Sequence, residues 1–154
     1  MVLASCSYSF VGGGLPPHIR TLSVASLSNE TAQPVLATDI QQELEARLPR
    51  NLGVRLVGAA NADAVVRGRV VGYEETVPGF RTGGAGGRVD IVQSEVRITM
   101  EVEIYDLRQD RVLWRNQTLA AVGQYQPDEQ ALTGRGRAIE QLVNKVIQGA
   151  QSQW

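Results

Sequence analysis

The sequence predicts an α+β fold: a two-layer sandwich in which a mostly antiparallel sheet of four to five strands carries two helices on one face. Three observations lead there. From Ser94 onward Val96, Ile98, Met100, Val102 and Ile104 alternate with Glu95, Arg97, Thr99, Glu101 and Glu103, the period of a strand with one dry and one wet face. Leu36, Ile40, Leu44 and Leu48 recur every four residues, and Ala138, Ile139, Leu142, Val143, Val146 and Ile147 fall at helical spacing, so each segment has a single apolar stripe. The elements read β-α-β-β-β-β-α, and two layers bury both stripes together with the dry strand face.

Taken in order, residues 20–27 read as a first strand of small side chains, and Ser28-Asn29-Glu30-Thr31 supplies turn and cap residues. A helix is expected over residues 33–48, with Pro34 in its first turn, Val35 and Ala37 widening the stripe, and Pro49 ending it. Val54-Arg55-Leu56-Val57 is a short strand, and Asn61-Ala62-Asp63-Ala64 a turn. In the strand over 65–76, Val66, Gly68, Val70 and Gly72 share one face, while Arg67, Arg69, Val71 and Tyr73 share the other. Two glycines on one face predict a bend or the close approach of a helix.

Residues 77–88 hold Pro78 and five glycines and read as a mobile loop bearing Phe80 and Arg81. The long strand is expected over 89–107, a turn over 107–110, and a partner strand with Trp114 over 111–122. A polar linker over 123–134 leads to the last helix, 135–148. The open sheet face collects Arg67, Arg69, Arg97, Glu95, Glu101, Glu103 and Tyr105, which reads first as a solvated surface.

Composition narrows the function. With 15 basic and 16 acidic residues in 154 the net charge is −1, and no basic stripe marks a nucleic-acid footprint. No apolar run approaches the roughly 18–20 residues that span a bilayer. One cysteine excludes an internal disulfide. The single histidine, His18, has no second ligand beside it and reads as structural; no Cys/His cluster suits zinc. Gly83-Gly84-Ala85-Gly86-Gly87 lacks the Gly-Lys-Ser/Thr ending of a phosphate loop. Glu101 and Glu103 share a strand face at about 6–7 Å, but on a flat strand that implies no pocket. The chain reads as a non-enzyme with no cofactor and no metal.

Chemistry concentrates at the front instead. Leu3-Ala4-Ser5-Cys6 has the pattern of a bacterial lipobox: small side chains let a signal peptidase close on the backbone, and only a thiol forms the thioether to diacylglycerol. Only Met1 and Val2 precede it, so residues 1–5 read as the remnant of a lipoprotein signal peptide whose charged and apolar parts lie upstream. Residues 6–19, with three glycines and Pro16-Pro17, read as a lipidated N-terminus and flexible tether, and 20–150 as a single domain.

These residues also carry a family resemblance. Cys6-Ser7-Tyr8-Ser9-Phe10 followed by Leu15-Pro16-Pro17-His18-Ile19-Arg20-Thr21-Leu22 resembles the opening of the LptE-related lipopolysaccharide-assembly lipoproteins, with Ser7 where that family often has glycine. Ser28-Asn29-Glu30-Thr31, then Asp63-Ala64-Val65-Val66-Arg67-Gly68-Arg69-Val70, then the hairpin from Val102 to Val112-Leu113-Trp114, resemble that family in the same order. The resemblance implies an outer-membrane lipoprotein, lipid-anchored through Cys6 and facing the periplasm. It would sit as a plug inside a large β-barrel, LptD, help that barrel assemble, and take part in placing lipopolysaccharide in the outer leaflet. Under that reading Phe80, Arg81, Arg67, Arg69, Arg88 and Arg97 are candidate contacts for the barrel lumen or the phosphates of lipid A. The front half is also similar to periplasmic lipoproteins that activate peptidoglycan synthases or build secretion channels, which leaves a regulatory or channel module as the alternative.

Overall fold

The computed structural model describes residues 14–76, 80–82, 89–91 and 94–153. A sheet of strands β1 (Thr21–Val24), β3 (Arg55–Leu56), β4 (Ala64–Thr76), β7 (Ser94–Asp106) and β8 (Arg111–Tyr125) runs in the spatial order β3-β1-β4-β7-β8. A two-residue strand β2 (Ser28–Asn29) adds to β4 beyond the end of β1. The helices α1 (Leu36–Leu52) and α2 (Ala131–Gln151) pack on one face and against each other. The expected two-layer α+β sandwich is therefore present, with a mixed sheet: β1, β2 and β3 pair in parallel, while β4, β7 and β8 form an antiparallel meander.

The core lies between the layers. Every inward residue of β7 from Val96 to Ile104 is buried, as are Leu36, Ile40, Leu44 and Leu48 of α1 and Leu142, Val143 and Val146 of α2. The alternation in β7 and both helical stripes thus face the same dry layer, where burial of each large aliphatic side chain contributes roughly 1.5–3 kcal/mol. Leu15 and Ile19 are buried too, so the chain is packed into the domain ahead of Arg20. Cys6 and the rest of the segment read as a tether, residues 6–13, lie outside the described residues.

Several boundaries differ from the sequence reading, each for a local reason. Helix α1 begins at Leu36, after Pro34, and carries Pro49 within its last turns. What ends it is Gly53, whose φ of 67° is the left-handed conformation that a glycine adopts without strain. Asn29 and Thr31 organise the preceding turn, Asn29 accepting from the Thr31 N–H at 3.0 Å and donating to the Gln33 carbonyl at 2.6 Å, but no side chain caps the helix. Helix α2 starts at Ala131 and β8 continues to Tyr125, both inside the expected linker. Part of the Gly-rich segment expected as loop is a small antiparallel hairpin, β5 (Phe80–Thr82) with β6 (Val89–Ile91), and β6 is distinct from β7.

The faces of β4 also change midway. Val70 pairs with Met100 but Gly72 pairs with Thr99, so Val71 is an extra, bulged residue. Beyond it the sides swap: Tyr73 packs on the core and Glu74 stands opposite Arg97, so Tyr73 does not share the face of Arg67 and Arg69. Gly68 meets the backbone of β7, where a Cβ would run into the Glu101 carbonyl. A helix approaches the sheet at a different glycine, Gly123, which lies against Gly134 and Ala138 of α2.

Candidate functional site

The open face of the meander is the charged one. Register sets Arg67 opposite Glu103, Arg69 opposite Glu101, and Glu103 opposite Arg115 of β8, so the strand period itself builds cross-strand ion pairs. Arg69 grips Glu101 with Nε and Nη2, each at 2.9 Å, and reaches Glu30 with Nη1 at 2.9 Å. Glu103 accepts from Arg67 on one oxygen and from Arg115 on the other, the latter at 2.8 and 2.6 Å. The Arg67 guanidinium also lies 4.4 Å from the centroid of the Tyr105 ring, whose hydroxyl donates to Asp110. Beside Gly68, with Arg67, Arg69, Arg115, Asn116 and Gln117 around it, the face has a shallow cleft of about 390 Å³.

The electrostatics follow from the pairing. The bond from Arg69 holds the Glu101 carboxyl below its ordinary value, and Glu101 in turn raises Arg69. Partial burial pushes Glu103 upward, but the bonds from Arg115 and Arg67 outweigh it and leave the group lowered. Both glutamates are thus fixed as anions between cations, unsuited to passing protons. Counting this patch, three arginines (67, 69, 115) meet three glutamates (30, 101, 103), and the charges balance.

The residues picked out from sequence divide accordingly. Arg67 and Arg69 are brought together in this lattice. Arg97 shares the open face further along β7, with a Glu95 carboxylate oxygen at 3.9 Å. Phe80 and Arg81 belong to β5, whose hairpin is inserted between the end of β4 and the start of β7. Arg88 and the proposed lipidation residue Cys6 lie outside the described residues.

A second charged cluster, at the opposite end of the sheet, escaped the sequence reading. Asp63, just before β4, accepts the N–H groups of Arg20 and Thr21 at 2.9 and 3.0 Å on one oxygen and the Arg108 guanidinium on the other. Asp106, at the end of β7, is fully buried; it accepts from His18 Nε2 at 2.6 Å and from the N–H groups of Arg108 and Gln109 at 2.8 and 2.9 Å. The Arg20 N–H is the largest influence holding Asp63 far below the usual carboxylate range, against the cost of burial. Burial likewise works to raise Asp106, and the bonds from His18, Gln109 and Arg108 win. His18 is therefore structural, and it ties the segment before β1 to the β7–β8 turn. Among the described residues no group of three or more His, Cys, Asp or Glu is placed to hold a metal ion.

Against known proteins, residues 19–149 match the family model LptE, described as lipopolysaccharide-assembly. No curated protein matches the chain. Solved structures share the fold at low identity. The PelC dodecamer from Paraburkholderia phytofirmans is 19% identical with a TM-score of 0.58, over 92% of this chain and 96% of that one. The hypothetical protein CT253 from Chlamydia trachomatis is 12% identical with a TM-score of 0.58, over 86% and 98%. A minor lipoprotein from Acinetobacter baumannii is 20% identical with a TM-score of 0.52, over 87% and 92%. No helix among the described residues is long and apolar enough to cross a membrane.

Proposed function

This chain belongs to the LptE lipopolysaccharide-assembly family, and from that premise we propose that it is an outer-membrane lipoprotein acting as plug and assembly partner of an LptD-type β-barrel. Cys6 carries the lipid, and the folded domain faces the periplasmic side and the barrel lumen. It acts by binding rather than by catalysis.

The observation that carries this reading is the charge-balanced open face. A barrel lumen is polar and wet, and a plug needs a surface that is hydrogen-bonding, rigid and without a large greasy patch. The lattice of Arg67, Arg69, Arg115, Glu30, Glu101 and Glu103 has that character, because every guanidinium in it is already oriented by a carboxylate. The same lattice sorts the proposed lipopolysaccharide contacts. A lipid A phosphate reaching Arg67 or Arg69 must displace a glutamate, whereas Arg97 holds its carboxylate only at 3.9 Å. Of these three arginines Arg97 is therefore the most available; Phe80, Arg81 and Arg88 stay in the proposal as contacts offered by the sequence.

The test is co-expression of the lipidated chain with an LptD-type barrel. Recovery of a stoichiometric complex, and misassembled barrel when the chain is omitted, is the expected result. A barrel that assembles and exports lipopolysaccharide without the chain overturns the proposal, as does recovery of the chain only with a peptidoglycan synthase or a secretion channel.

A further inference from the structure

The longest strand of the sheet, β8, is also its last: it pairs with β7 on one side and with no strand on the other among the described residues. Two side chains of α2 come round this edge. Lys145 Nζ donates to the Ala120 carbonyl, and Arg137 Nη1 to the Gln124 carbonyl at 2.7 Å. Those two carbonyls therefore face away from β7. Backbone groups alternate in direction along a strand, so Ala120, Val122 and Gln124 all point outward. The carbonyls at both ends of the trio are capped, whereas their three N–H groups have no acceptor among the described residues.

A groove runs beside this edge, between β8 and α2. It opens into a cavity of about 730 Å³ at Gln124 and another of about 600 Å³ at Trp114, whose ring rests on Gly149. The helix side of the groove is polar, with Gln141, Asn144 and Gln148. Two charges along it are unmatched: Lys145, the only lysine of the chain, and the Glu140 carboxylate have no ion pair among the described residues. Natural sheets blunt open edges with charges and bulges. Here β8 has a bulge where Met100 pairs with Leu119 but Val102 with Asn116, and it lies below the outward trio. The trio itself is guarded only by two long, exposed side chains.

The geometry points to a strand-docking edge: an extended segment of the barrel pairs with Ala120, Val122 and Gln124 and accepts from their N–H groups, while its own N–H groups replace Lys145 and Arg137. This rests on the plug reading above and names the element through which the chain holds its barrel. The wall strands of a closed barrel have no free edge, so the segment is one that lies in the lumen. It is polar on both faces, because one lies along α2 and the other continues the open face of the meander. An acid beside Lys145 and a base beside Glu140 complete the match. Main-chain bonds give such a contact its affinity, and the charges set its register.

The test is hydrogen exchange resolved to single amides, on the lipidated chain alone and in complex with the co-expressed LptD-type barrel. In the free chain the amides of Ala120, Val122 and Gln124 should exchange fast, and those of Ala121 and Gly123, which face β7, slowly. In the complex the three fast amides should slow by about 10-fold or more. Val122→Pro removes the central outward N–H without touching a bond to β7, a place where an edge strand tolerates proline. It should lower recovery of the complex about 10-fold. Should that variant fail to fold, Lys145→Glu, an exposed change, should keep the wild-type melting temperature and lower recovery by a similar factor. Unchanged exchange at the three amides in a recovered complex overturns the inference, as does wild-type recovery of the folded variants. Slowing of these amides in the free chain that grows with its concentration also overturns it, and assigns the edge to a second copy. A complex with unaltered amides sinks the docking edge alone; absence of any complex sinks the plug reading with it.

Discussion

Two sets of acid–arginine pairs use the same chemistry to opposite ends. On the open face, Arg67, Arg69 and Arg115 are each about half exposed and share their glutamates in water. At the end of the sheet, Asp63 and Asp106 are almost wholly inside and are satisfied chiefly by backbone N–H groups. Exposed pairs gain little because water screens them and long side chains must be ordered. A buried carboxylate with three donors, once desolvated, leaves all of them stranded if it is removed. The first set shapes a surface, and the second fixes where the chain runs.

The largest effect should therefore come from the inside. Asp63→Ala strands the N–H groups of Arg20 and Thr21 and releases Arg108. We expect a loss of about 3–5 kcal/mol in urea unfolding. A cost below about 1 kcal/mol would erase the contrast between the two regions. Asp106→Asn keeps an acceptor for the turn but loses the charge facing His18, and should cost about 1–3 kcal/mol at neutral pH.

The same two residues set the response to acid. Both are lowered in the folded protein, so between the folded and ordinary values the unfolded chain binds more protons. Their contribution is complete above an ordinary carboxylate value of about 4 and is lost as pH falls through the folded values. Stability should fall steadily below about pH 4, and Asp106→Asn should flatten that slope. An acid limb with the wild-type slope in the variant would show that Asp106 is not held as an anion.

What could be read from the sequence divides along a similar line. The alternation in β7 and the stripes of α1 and α2 are local periodicities, so the dry layer and the candidate lattice residues Arg67 and Arg69 were visible. Their glutamate partners were visible as a wet face, but the pairing needs the register between β4 and β7. A bulge at Val71 leaves no local mark, so strict alternation assigns Tyr73 to the face opposite the one it takes. Pro49 has the mark of a stop because a proline removes a helical donor and crowds the carbonyl four residues back, yet the helix runs on through it to Leu52 and Gly53 makes the turn. His18, Asp63 and Asp106 are separated by 45 and 43 residues and meet only through strand pairing. A histidine directly after a proline pair and two aspartates at strand ends carry no pattern that joins them.

The smallest effect should come from the open face, and it is the one that tests what that face is for. Glu103 is the most enclosed carboxylate of the lattice, shared between Arg67 and Arg115. In a double-mutant cycle of Glu103→Gln with Arg115→Gln, the coupling should be about 0.2–1 kcal/mol at low salt and fade as salt screens the pair. The corresponding cycle of Asp63 with Arg108 should be larger and persist in salt, because one partner is buried. If the Glu103 coupling proved larger than that of Asp63, the open face would be part of what holds the fold together. A small, salt-sensitive coupling means that these charges can be changed at little cost to stability, so any effect of the same variants on recovery of a barrel complex is separable from folding.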